Sequence, residues 1–193
     1  MVSMIQVNSK QYQQGALMIE ILVTILIVII GLMGLMQMQQ RLQKSEMESY
    51  QRTQAVMLVN DMATRIHTNR SNAASYVTTG TNYLGAGITC PASTATVQDV
   101  DAAEWCNALQ GAAETTGGST NVGAMIGGRG CVTGAGTGQY MVTVVWQGLT
   151  PISAPPLSVT CGKDLYNDVA PGAECINDLC RRYVTTMVRI ATL

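Results

Sequence analysis

The chain has 193 residues, with 11 Lys and Arg against 12 Asp and Glu and a formal net charge of -1. No cationic excess is available to neutralise a run of phosphates, so nucleic acid is not an expected partner. The length suffices for one domain with a real core beside a terminal targeting segment, but not for two.

The first predicted element is a membrane span. Residues 16–36 read ALMIEILVTILIVIIGLMGLM, with a single charge. As a helix rising about 1.5 Å per residue they cover about 30 Å, the thickness of a bilayer's hydrocarbon core. A buried helix of a soluble domain is the competing reading, and the unbroken length of the run argues against it. A cleaved secretory signal fits poorly: the apolar stretch is too long, no A-x-A-like site follows it, and the next residues are Gln37, Met38, Gln39 and Gln40. A lipoprotein signal is excluded because no cysteine precedes Cys90. The span is therefore expected to stay on the protein. Lys10 lies before it and Arg41 and Lys44 just after it, a bias that weakly favours the orientation opposite to the one the cysteines suggest.

The helical pattern continues past the span. Arg41, Lys44, Glu46, Glu48 and Arg52 interleave with Leu42, Met47, Tyr50, Ala55, Leu58, Met62 and Ile66. The last four recur at three- and four-residue spacing, which marks one buried stripe. No proline occurs before Pro91, so one helix is predicted over 16–70, stopped by Asn69, Ser71 and Asn72. Over 71–160 charge almost vanishes and Gly, Thr, Ala and Ser dominate. The composition resembles a linker, but the cysteines and both tryptophans imply a loop-rich segment pinned to a core.

Within that segment a short helix is predicted over 99–109, with Val100, Ala103, Trp105 and Leu109 as its apolar side. Strict alternation predicts a strand over 138–146, with Tyr140, Val142, Val144 and Trp146 on one face and Met141, Thr143 and Val145 on the other. A last strand sets Val184, Thr186, Val188 and Ile190 against Tyr183, Thr185, Met187 and Arg189. Shorter strands near 129–133 and 157–161 complete an expected antiparallel sheet of about four strands, one face of which packs on the helical stripe. The fold class is thus α+β: a long N-terminal helix, membrane-spanning in its first half and amphipathic in its second, on a C-terminal sheet with disulfide-pinned loops.

Cys90, Cys106, Cys131, Cys161, Cys175 and Cys180 all lie beyond the span. An even count on one side of a membrane suggests disulfides in an oxidising compartment such as a periplasm. A zinc site is the weaker reading, because there is no C-x2-C pair and the lone His67 is far from the close pair Cys175 and Cys180. Sequence permits fifteen pairings. If the strand over 138–146 is flanked by those holding Cys131 and Cys161, the two cysteines lie about 9.5 Å apart. That exceeds the usual Cα reach of about 7 Å. Their direct pairing is disfavoured, and each is expected to turn to Cys90, Cys106 or the C-terminal loop. Cys175 and Cys180 enclose only INDL and are the preferred bridge.

A catalytic reading fails on inventory. His67 is the sole histidine, near the helix end, and no G-x-S-x-G or H-E-x-x-H occurs. Gly127, Gly128, Gly130, Gly134, Gly136 and Gly138 lack phosphate-loop spacing and read as turns with φ > 0. Met33, Met36, Met38, Met57 and Met62 suggest adaptable packing surfaces, not copper ligands. No enzyme activity, metal or cofactor is expected.

At the membrane boundary stands Gly15-Ala16-Leu17-Met18-Ile19-Glu20. A carboxylate costs about 2.5 to 3.5 kcal/mol at the centre of a span and less near its end, so Glu20 needs a partner. The polar leader over 1–14, the small Gly15 and the glutamate five residues on together resemble the class III signal of type IV prepilins and pseudopilins. The segment IEILVTILIVIIGLMGLMQMQQRLQKSEMESYQRTQAVMLVNDMATRI, the strand QYMVTVVWQG and the ending RRYVTTMVRIATL resemble minor pilins of the PilV type. The resemblance covers both ends of the chain well and the middle poorly.

That resemblance implies a leader over 1–15, a transmembrane half-helix over 16–36, an amphipathic half over 37–70 and a periplasmic globular domain over 71–193. It implies that a prepilin peptidase cuts between Gly15 and Ala16 on the cytoplasmic face and methylates the new amine of Ala16. Glu20 becomes the assembly glutamate, relieved by the free amine of a neighbouring subunit. The implied location is the inner membrane, single pass, and then the pilus at the cell surface. The implied partners are the peptidase, other minor pilins, the major pilin and the inner-membrane assembly platform. The implied role is pilus initiation or a tip complex, hence twitching motility and adhesion; the alternative is a minor pseudopilin of a type II secretion system. Two departures stand out: Ala16 replaces the usual phenylalanine, and the kinking proline of many major pilins is absent. Only Gly31 and Gly34 remain to soften the helix, so a straighter anchor is expected.

Overall fold

The proline-free, helix-favouring first third of the chain forms α1, Gln13–Thr68, in the computed structural model. Residues 13–78, 82–112, 123, 125–170 and 172–191 are described, so the expected leader lies outside them up to residue 12. The chain divides into two compact units, Met1–Glu46 and Met47–Leu193, and α1 contributes to both. In the first unit every large apolar side chain from Leu17 to Met38 is exposed.

In the second unit the later turns of α1 bury the stripe Ala55, Val59, Met62 and Ile66, all at most 2% exposed. Leu58 packs at its margin. Val59, absent from the predicted stripe, completes a 4-3-4 spacing that keeps one face turned to the core. After a short 3-10 helix, Arg70–Tyr76, the elements are β1 Leu84–Gly85, α2 Val97–Leu109, β2 Arg129–Gly136, β3 Gln139–Gln147 and β4 Arg181–Arg189. Helix α2 starts two residues earlier than expected because Thr96 and Asp99 form a reciprocal capping box.

The sheet is antiparallel with the order β1-β2-β3-β4. Its alternation works as anticipated. Val142, Val144, Trp146, Val132 and Val188 join the helical stripe in one core, while Cys131 and Val145 on the other face join Cys161 and Tyr166 in a second. Trp105 of α2 ties the layers together: it is fully buried and donates Nε1–H to Leu58 O of α1 at 2.9 Å. Its ring lies on Gly130, where a Cβ would overlap it. That glycine serves close approach and not a positive φ, in contrast to Gly138 (φ +65°), which turns β2 into β3.

Two expectations are corrected together. Residues 157–161 form a turn, not a strand. Pro155 and Pro156 precede it without N–H groups for a ladder, Leu157 is 87% exposed, and the carbonyls of Val159 and Cys161 each accept from Arg181 Nη1 at 2.8 Å. β1 takes the fourth place in the sheet, beyond β2, so β4 and not the Cys161 segment flanks β3. Cys161 instead approaches over the face of the sheet and bonds to Cys131, with Cα atoms 5.9 Å apart. The exclusion by strand spacing failed because it assumed both cysteines in one plane. Cys90 pairs with Cys106, and Cys175 with Cys180 as expected.

Candidate functional site

The candidate site is the head of α1. Gly15 and Ala16 fall in its first turn. Glu20 follows, exposed among the equally exposed Leu17, Met18, Ile19, Ile21, Leu22 and Val23. Glu20 has no ion-pair partner among the described residues. Thr24, the nearest hydroxyl, spends its proton on Ile21 O at 2.8 Å, so it is satisfied within its own helix. A Cβ at Gly31 or Gly34 would meet nothing; these glycines relieve no clash within the chain.

A helix segment that is apolar on every side and exposed throughout needs lipid or other apolar helices around it. By length and composition α1 can cross a membrane. In hydrocarbon a bare carboxylate is expensive, whereas one that meets a cation fixes both partner and axial register.

The second unit offers structural electrostatics. Arg65 pairs with Asp61 of its own helix at 3.0 Å and joins α1 to α2 through Asp101 at 2.8 Å and Glu104 at 2.7 Å. Burial alone would lower its pKa, but these hydrogen bonds outweigh that and raise it above the ordinary arginine value. The Tyr76 hydroxyl donates to Asp101 and accepts from Asn69 Nδ2. Burial first, then that bond to Asp101, push its pKa up to about 12. Tyr166, buried and donating to Gly127 O and Val145 O, is likewise pushed up to about 12 by burial, against the lowering effect of Arg129. The Arg129 guanidinium lies 5.1 Å and 4.9 Å from the ring centroids of Tyr83 and Tyr166.

These groups hold layers together. His67 is exposed, and no group of three or more His, Cys, Asp or Glu that could hold a metal occurs among the described residues. Sequence reading passed over the Arg65 cluster, although Asp61 and Arg65 at i,i+4 were a visible signal. The stacking of Arg129 joins residues that no local pattern connects, whereas the buried Arg181–Asp178 pair, at 3.1 Å, is only three residues apart in sequence. Comparison with protein-family models, curated proteins and solved structures finds no match to this chain.

Proposed function

We propose that this chain is a membrane-anchored structural subunit of a type IV pilus, a minor pilin of the PilV-like kind, and not an enzyme. The observation that carries the reading is the Gly15-to-Glu20 signature at the head of a helix whose large apolar side chains from Leu17 to Met38 are all exposed. The same helix supplies the core stripe of an α+β unit with three disulfides. In this account a peptidase removes the leader after Gly15 and methylates Ala16. The anchor keeps the disulfide-bonded unit periplasmic until assembly, and Glu20 then pairs with the terminal amine of the adjacent subunit. Other minor pilins, the major pilin and the inner-membrane assembly platform are its partners.

Glu20→Ala tests the role of the carboxylate. Removing a costly charge from a span leaves insertion intact, so the variant should fractionate with membranes as the parent does. It should be absent from sheared fibres, and pili counted by electron microscopy should be fewer. Normal piliation with the variant present in the fibres would refute the pairing role.

A further inference from the structure

The two edges of the sheet are finished differently. Beyond β2 the chain supplies β1, and then Thr78, which donates its N–H to Val132 O at 2.8 Å and accepts from Val132 N–H at Oγ1. Among the described residues no strand lies beyond β4. In its ladder with β3, Gly148 N–H donates to Cys180 O and Ile190 N–H to Gly138 O. These bonds are in phase with the even-numbered residues of β4, so the N–H and C=O groups of Tyr183, Thr185, Met187 and Arg189 point to the open edge. Among the described residues none of these main-chain groups has a partner. Tyr183 and Met187 are 37% and 44% exposed. β4 runs nine residues without proline, and its pairing with β3 has no bulge; two of the usual protections of a free edge are missing.

The edge also ends in a built recess. At the start of β4 a cavity of about 350 Å³ is walled by Arg52, Trp146, Ser153, Pro155, Arg182 and Tyr183. Arg182 is engaged there, by Leu179 O at 3.1 Å and by Glu48 at 3.7 Å. Arg52 has no hydrogen bond or ion pair among the described residues, and neither has Arg189 at the far end of the strand. From Tyr183 to Arg189 is six steps, about 20 Å of strand. A second copy is a poor occupant. Antiparallel self-pairing centred on Thr185 would bring each Arg189 toward the Arg52 cavity of the other copy, cation against cation.

We propose that the open edge of β4 and the Arg52 cavity together receive an extended segment of another protein, added as a fifth strand. The segment is about eight residues long, so that its two ends face opposite sides of the sheet, as Arg189 and α1 do. It is β-branched or apolar between its ends, over Tyr183 and Met187, and carries a carboxylate at each end, one for Arg52 and one for Arg189. Main-chain bonds along the edge supply affinity, and the terminal charges supply orientation and choice of partner. This goes beyond the pilus reading and does not depend on it.

The test uses the full chain in detergent micelles and two fluorescein-labelled octapeptides read by fluorescence anisotropy. One is Glu-Thr-Val-Thr-Val-Thr-Val-Glu; the other has lysine at both ends. The acidic peptide should bind saturably and about tenfold more tightly than the lysine peptide. Met187→Pro removes an outward N–H without touching the ladder to β3 and should weaken the acidic peptide by about tenfold or more. Arg52→Glu combined with Arg189→Glu, a change of two exposed side chains, should invert the preference. The proposal is overturned by absence of saturable binding, equal binding of the two peptides, indifference to Met187→Pro, an unchanged preference in the charge-reversed variant, or a dimer abolished by Met187→Pro in sedimentation.

Discussion

Trp105→Ala is expected to remove about 3 to 5 kcal/mol of stability, the range for truncating a buried aromatic. Trp105 is fully buried, and three layers meet on it: α2, which carries it, α1 through Leu58 O, and β2 through Gly130. Alanine leaves a cavity that none of these can fill, since α1 and β2 are held apart by their other contacts. Against a typical total of about 5 to 15 kcal/mol, this is a large fraction. Urea unfolding of the full chain in micelles measures it, with the midpoint falling and the slope unchanged. Gly130→Ala injures the same contact from the other side by forcing a methyl into the indole. Because the two residues touch, the double variant should lose less than the sum of the single losses. A loss below about 1 kcal/mol for Trp105→Ala would show that the indole does not join the layers.

Removing Cys131 and Cys161 together, as serines, should destabilise by about 3.6 kcal/mol in the chain-entropy account, for a loop of 30 residues. The pair Cys175 and Cys180 closes only 5 residues and should give about 2 kcal/mol. The ranking is the firmer expectation, because the first bridge also clamps the segment carrying Tyr166 onto Val145 and Cys131. Urea midpoints of the two double variants settle the order. Non-reducing peptide mapping checks the connectivity itself, and a Cys131 peptide joined to anything but Cys161 would remove the basis of the first figure.

Period carried most of what could be read in advance. The 3.6-residue repeat located Ala55, Met62 and Ile66, and the two-residue repeat assigned both faces of β3 and β4 correctly. Pattern failed where the answer depended on a third dimension. Leu157 to Cys161 had a strand's composition, but the two prolines before it and the demands of Arg181 made it a turn above the sheet. The Cys131 pairing was then misjudged by the same flat geometry. Of the glycine-rich stretch, Gly127, Gly136 and Gly138 do have positive φ, whereas Gly128, Gly130 and Gly134 do not; a bare sequence cannot tell a turn from an indole resting on the backbone. Gly15 and Glu20 could be singled out in advance because they are local and the apolar run around them is unbroken. The Arg52 cavity and the open edge of β4 were not legible, since they arise only when α1, β4 and the proline loop come together.

The central claim concerns one peptide bond and one amine. Intact-mass spectrometry of the protein extracted from its native membranes examines both at once. The account predicts a chain that begins at Ala16 and carries one added methyl group on its terminal amine. A protein that retains Met1, or one cleaved at any bond other than Gly15–Ala16, would contradict it.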